Sequence, residues 1–431
     1  MNNFLKKLNV VFLIVMALFF SMVLYLFVMQ RATHFPAPTG PHAIGTVLYH
    51  WKDKNRNEIY SEDPEDNREL MVQFWYPAAG EKQRALIRYP TEAIDHLKKV
   101  VNETYHIPYL LLDRLNDVYI HAVRHAPLAR KSEKYPIIIA LHGITGLRTD
   151  YTAHCENLAS HGYVVVGISH TYTSAVVNFP DGRKIESFVT RENASQYWDS
   201  EPVVQQYWTD ELSVWIHDVQ FVLDMLEKLN SGNPPSMFVG KLNLRHIGII
   251  GHSFGGGVAT QMCRIDSRVK ACINLDGGLF TQNLPLGLDK PYMFMTVQNE
   301  KAGVTRHWSA GKIADIDKFF ATTTKDAYRL TIKGAVHNSF TDYPLLLNSF
   351  EIFRIVNFFK PIHLLDANPI KICNIIDDYM VAFFNTYLKN DASPLLTTGY
   401  SKYKEVDVKK WTKDLPGPLP KDSSVKGLIR R

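Results

Sequence analysis

His246-Ile247-Gly248-Ile249-Ile250-Gly251-His252-Ser253-Phe254-Gly255-Gly256 is an apolar run that passes through small residues into a stretch compatible with a helix. Such a run suits a strand buried on both faces of a parallel sheet. Gly251 to Gly255 reads G-x-S-x-G, set where the chemistry requires it, between a strand and a helix. The spacing has a physical reason. Ser253 must sit at a strained turn with its Oγ exposed, and a Cβ at 251 or 255 would meet neighbouring backbone. The helix N-terminus behind it favours developing negative charge. Ser253 is therefore the expected nucleophile.

Similar runs lie on either side. Pro136–Leu141, Tyr163–Ile168, Ala271–Leu275, Tyr292–Val297 and Tyr328–Ile332 are short, apolar and often β-branched, and Met71–Tyr76 alternates before Pro77. Helical patterns separate them. In one, Thr209-Asp210-Glu211 opens a run in which Leu212, Trp215, Val219, Val222, Leu226 and Leu229 keep helical spacing. Alternation of this kind predicts an α/β fold with a mostly parallel, doubly wound sheet.

The ends of these strands supply the other candidates. Strand 136–141 runs into His142-Gly143-Ile144-Thr145-Gly146. The backbone N–H groups of Ile144 and Phe254 would form an oxyanion hole; the competing reading is a plain glycine turn. A base is expected late in the chain, past the last strand, where Gly334-Ala335-Val336-His337 stands. His337 is preferred over His252, which abuts the serine, over His142 in the oxyanion loop, and over His170, which precedes the serine. For the acid, two residues keep the chain order. Asp276 directly follows strand 271–275, and Glu300 follows strand 292–297 in a polar loop. Asp276 is harder to explain as a solvated turn.

Composition sets the outer limits. The chain has 431 residues, 46% hydrophobic and 21% charged, which excludes a disordered or collagen-like protein. Its net charge of +5 is scattered, with no basic block interleaved with aromatics, so nucleic acid is not an expected partner. Cys155, Cys263, Cys272 and Cys373 form neither CxxC nor a dense framework and read as small core residues. No metal or organic cofactor is implied, and the oligomeric state is not readable. Val10 to Met29 is uncharged, about 30 Å of helix, with Lys6 and Lys7 before it. This predicts a signal anchor that leaves the body on the non-cytosolic side of a membrane; the alternative is a cleaved signal peptide and a secreted protein.

The expected organisation is a cytoplasmic N-terminus (1–9), a transmembrane anchor (10–29), a linker (30–43), a catalytic domain (44–390) and a polar C-terminal tail (391–431). Residues 170–208 are rich in Phe, Tyr and Trp and are expected to form a cap or to pack on the surface. Residues 91–122 carry two helical patterns split by Pro108, read as helices packed on the core rather than a lipid-facing pair.

Taken together, these residues resemble the platelet-activating factor acetylhydrolases of the plasma and type II kind. Trp75-Tyr76-Pro77, Lys134-Tyr135-Pro136, His142-Gly143, Arg148-Thr149, Leu158-Ala159-Ser160-His161-Gly162-Tyr163, Gly251–Gly256, Asp276 and Gly334–His337 with Phe340 and Asp342 carry the likeness over roughly 70–390. It implies an α/β-hydrolase fold and a triad of Ser253, Asp276 and His337. The activity it implies is calcium-independent hydrolysis of the sn-2 acetyl or short acyl ester of phospholipids, as a 1-alkyl-2-acetylglycerophosphocholine esterase. A general carboxylesterase or lipase, and a membrane-tethered binding protein without catalysis, are the alternatives. The uncleaved-looking anchor, the longer insertion at 170–208 and the C-terminal tail depart from the familiar plasma enzymes.

Overall fold

The structure is a computed structural model that describes residues 2–29, 33–81, 87–129, 134–189, 202–279, 287–298, 310–348, 368–397 and 402–412. Among them one sheet dominates. Its strands are β1 (Ala43–Asn57), β2 (Asn67–Ala78), β3 (Val123–Arg124), β4 (Tyr135–Leu141), β5 (Val164–Ser169), β6 (Leu242–His252), β7 (Val269–Leu275), β8 (Tyr292–Gln298), β9 (Ala327–Lys333) and β10 (Val406–Trp411). They lie in the order β10-β9-β8-β7-β6-β4-β5-β2-β1-β3. From β9 across to β5 every pair is parallel, while β2 and β10 run antiparallel to their inner neighbours.

Strand side chains alternate between two cores, which is what a sheet covered on both faces demands. In β4, Ile137, Ile139 and Leu141 join a cluster with Trp215, Val219, Val222, Val258 and Phe319. Ile138 and Ala140 point the other way, to Leu158, Ile375, Ile376 and Phe383. Helices α4 (Pro202–Ser231), α5 (Phe254–Ile265) and α6 (Ala310–Ala321) thus cover one face, and α3 (Thr152–Ser160) and α8 (Pro369–Lys389) the other. The start of α8 is written locally: Asn368 accepts a hydrogen bond from the Lys371 amide at 3.1 Å, and Pro369 fills the first turn, where no N–H is needed.

Between the sheet and solvent, α2 (Thr91–Tyr105) buries Ala93, Ile94, Leu97 and Val101 against Tyr89, Phe35 and Leu346 of the short helix α7 (Tyr343–Asn348). This is the inward packing expected of the first pattern in 91–122. Beyond Pro108 the chain makes only a helical turn at Tyr109–Leu112, a 3₁₀ turn and a short strand, Val118–Ile120. Phe179, from the insertion, packs with Met71 and Val177 beside a hairpin of Val176–Asn178 and Lys184–Glu186.

Two expectations about the ends need correction. Helix α1 spans Asn2–Met29, but among the described residues no helix is long and apolar enough to cross a membrane. This overturns the transmembrane anchor at 10–29, membrane attachment through it, and the single-pass, non-cytosolic localisation that rested on its orientation. At the other end, residues 406–411 of the polar tail form β10 on the edge of the sheet. The alternation of Val406 and Val408 with charged neighbours hides that strand, and Trp411 closes it by stacking on Phe320 at 4.3 Å.

Candidate active site

The carboxyl ends of β4, β6, β7 and β9 converge, and each releases one candidate group. At the end of β6, Ser253 adopts φ 56°, ψ −118° before α5 begins. A side chain held there costs roughly 1–3 kcal/mol and persists only where the surroundings enforce it. Here they do: the Ser253 N–H donates to the Leu275 carbonyl at 3.0 Å. The glycines are required by contact. A Cβ on Gly251 would lie 2.0 Å from the Gly255 oxygen, and one on Gly255 would lie 2.3 Å from the His142 oxygen.

Asp276 follows β7 at φ 51°, its N–H donating to the Met295 carbonyl at 2.7 Å. The carboxylate is almost fully buried, and both oxygens are occupied. Oδ1 accepts from the Thr296 hydroxyl at 2.8 Å, and Oδ2 pairs with His337 Nδ1 at 2.7 Å. The structure therefore brings Asp276 and His337 into direct contact and holds Ser253 beside them through its backbone. Glu300, the alternative acid, lies outside the described residues. Thr296 is a partner that the sequence does not announce, one polar side chain in an apolar strand.

The loop after β4 approaches the serine closely, since a Cβ on Gly143 would stand 3.2 Å from that of Ser253. Ile144 follows it and Phe254 heads α5, so both amides belong to segments that border the nucleophile. The Thr145 N–H donates to the Thr173 carbonyl at 2.9 Å, and the Ala175 N–H to Gly146 at 3.1 Å. His142 is no base. Burial, and then His170 nearby, push its imidazole down to about 3, and it bonds to Ser174 Oγ at 2.7 Å and the Gly143 carbonyl at 2.6 Å. Behind it the His170 ring stacks on Trp215 at 3.6 Å and pairs with Asp218 at 2.8 Å. Burial opposes the charge on Asp218, yet Arg68 and His170 outweigh it and keep the carboxyl well below its usual range. Trp215 in turn packs edge-on to Phe254 at 5.0 Å. Pairings between residues this distant in the chain leave no periodic trace.

A second buried set joins the base loop to α3. The Asp342 N–H donates to the Asp150 carbonyl at 2.7 Å, and its carboxylate accepts from the Thr152 N–H and the Tyr89 hydroxyl, each at 2.8 Å. Asp150 Oδ2 accepts from the Leu147 N–H and the Tyr343 hydroxyl, also at 2.8 Å each. Burial pushes the Asp150 carboxyl up to about 7. An unfolded aspartate titrates near ~3.9, so the folded chain holds an extra proton in between. Stability from this residue is full below pH ~4 and falls as pH rises through 7. Asp150→Asn keeps the accepting oxygen without the charge. It should flatten that fall and raise the melting temperature at pH 8; a variant less stable than wild type at pH 8, in a thermal-shift series, would contradict this.

Among the described residues, His154, Cys373 and Asp377 bring donor atoms within 4.8 Å of one another. They sit on α3 and α8, and the 2.7 Å bond from His154 Nδ1 to Asp377 already pairs two of them. All four cysteines are buried and free.

The family model for platelet-activating factor acetylhydrolase, isoform II, matches residues 27–394. The chain belongs to this family. A platelet-activating factor acetylhydrolase of Cavia porcellus is 26% identical over 296 residues, which cover 64% of each chain. One of Gallus gallus is 27% identical over 279 residues, 57% of this chain and 61% of its own length. The chain thus spans less than two thirds of these acetylhydrolase relatives. Among solved structures, a ferulic acid esterase from Streptomyces cinnamoneus matches with a TM-score of 0.66 and 27% identity, over 88% of this chain and 99% of its own. Membership of an acetylhydrolase family and likeness to an esterase agree with the sheet order around Ser253.

Proposed function

We propose that this acetylhydrolase-family chain is a serine esterase that hydrolyses short acyl esters at the sn-2 position of phospholipids. The observation that carries the reading is the 2.7 Å bond between Asp276 and His337 beside a serine at positive φ. The names of its relatives supply the substrate class.

The steps follow from the residues. Asp276 accepts a hydrogen bond from the His337 Nδ1–H, which holds the tautomer whose Nε2 lone pair acts as base. His337 removes the Ser253 proton as Oγ attacks the ester carbonyl, and the oxyanion rests on the Ile144 and Phe254 amides. Collapse expels the glycerol oxygen, which takes the proton from His337. A water, deprotonated by the same nitrogen, then releases the acyl group as a carboxylic acid and restores the serine. No step calls for a metal, and residues 44–390 would carry all of these groups, with 170–208 as a cap over the acyl site.

Likeness to a ferulic acid esterase over nearly the whole of that protein favours a second reading, a general carboxylesterase. A panel of p-nitrophenyl esters, feruloyl esters and short- and long-chain phosphatidylcholines separates the two. The expected result is the highest kcat/KM on 2-acetyl phosphatidylcholine, unchanged by chelator. Feruloyl esters cleaved fastest, with phosphatidylcholines inert, would move the assignment to the second reading.

A further inference from the structure

We propose that Tyr151 and His252 are positioning residues that hold the oxyanion loop and the base in register through one polarised chain of hydrogen bonds. The inference rests on the triad reading above and adds two residues to it. The Gly143 N–H lies 3.2 Å from the Tyr151 hydroxyl oxygen. That hydroxyl lies 2.8 Å from His252 Nδ1, and His252 Nε2 lies 3.0 Å from the carbonyl oxygen of His337.

The direction of every bond is forced from the two ends. A backbone N–H can only donate, and a carbonyl can only accept. His252 Nε2 therefore carries the proton that meets His337. Its Nδ1 then holds a lone pair, so the Tyr151 hydroxyl donates to it and accepts from Gly143. Only the neutral, Nε2-protonated imidazole fits, because a proton on Nδ1 would leave the tyrosine hydrogen with nothing to meet.

What lies at the two ends gives the chain its purpose. Gly143 immediately precedes Ile144, whose amide is assigned to the oxyanion. The carbonyl at the other end belongs to the base itself. His252 abuts the nucleophile, and its ring lies 4.4 Å from that of His337. Three groups that must agree to within a fraction of an ångström are thus joined through two buried side chains, Tyr151 at 5% exposure and His252 at 4%. Both side chains are buried, so the bonds they make are costly to lose. On the far side of Tyr151 the base loop is tied again by Asp342, through the Asp150 carbonyl and the Thr152 N–H. Tyr151 sits between these two ties.

Without the hydroxyl, the Gly143 N–H loses this partner, and the oxyanion loop is no longer tied to His252 and, through it, to His337. Misplacing reacting groups by about 1 Å costs on the order of 10²-fold in rate. The substrate's own contacts are left alone, so the loss belongs in kcat. The test is steady-state kinetics on p-nitrophenyl acetate for wild type, Ser253→Ala, Tyr151→Phe, His252→Phe and the double variant Tyr151→Phe/His252→Phe, each checked by thermal melting. The expected result is a kcat lowered by roughly 10- to 100-fold in either single variant, with KM within about twofold of wild type. The double variant should be no slower than the slower single one, because one chain can be broken only once. If Tyr151→Phe fails to fold, His252→Phe breaks the same chain at its other joint and carries the test. Single variants within about twofold of wild type in kcat, or losses that multiply in the double variant, would overturn the proposal. An active Ser253→Ala would instead overturn the triad reading on which it rests.

Discussion

Ser253→Ala should lower kcat/KM on a 2-acetyl phospholipid by at least ~10³-fold, as loss of a triad nucleophile does elsewhere. The melting temperature should stay close to that of wild type. Alanine keeps the Cβ that the elbow already accommodates, and the backbone bond to Leu275 does not involve the side chain. What is lost is the Oγ that bonds to the acyl carbon. Activity near the wild-type level in a folded variant would remove the elbow from the mechanism. Paired melting and initial-rate measurements distinguish that outcome from unfolding.

Asp276→Asn should be nearly as damaging, with kcat lower by about 10³- to 10⁴-fold. The amide fits the same space, and its oxygen can still accept from the Thr296 hydroxyl. Its NH₂ then faces His337 Nδ1, which must turn acceptor, so the proton moves to Nε2 and the nitrogen needed as base is blocked. Glu300→Gln, at the competing position, should leave kcat nearly unchanged. The opposite ranking in a side-by-side assay would move the acid to the loop after β8. KM should change little for Asp276→Asn, because Asp276 acts through His337 and not on the substrate.

The central strands were legible because each is buried on both faces and therefore reads as an unbroken apolar run. Ser253 was read from its G-x-S-x-G setting and His337 from its place past the last strand, and Asp276 for a reason related to burial. A polar residue directly after such a run has no solvated turn to explain it, and in an α/β sheet that position faces the ligand crevice. The residues around them gave no such signal. Tyr151 belongs to none of the motifs read from the sequence, and His252 stood out there only as the residue that abuts the serine. Only the approach of β4, β6 and β9 shows that the two side chains meet, 101 positions apart in the chain. Arg68, His170 and Asp218 were hidden likewise, since buried ion pairs obey no spacing rule. At the ends, apolar content was over-read at 10–29. Alternation diluted by lysines was under-read at 406–411, where β9 supplies the pairing that composition does not reveal.

The most direct test of the account is to stop the enzyme with acid during turnover of an acetyl ester and map the acetylated peptide by mass spectrometry. The account predicts one covalent acetyl group, on Ser253, which accumulates during turnover and disappears once substrate is exhausted. An acetyl group on any other residue, or turnover with Ser253 never modified, would contradict it.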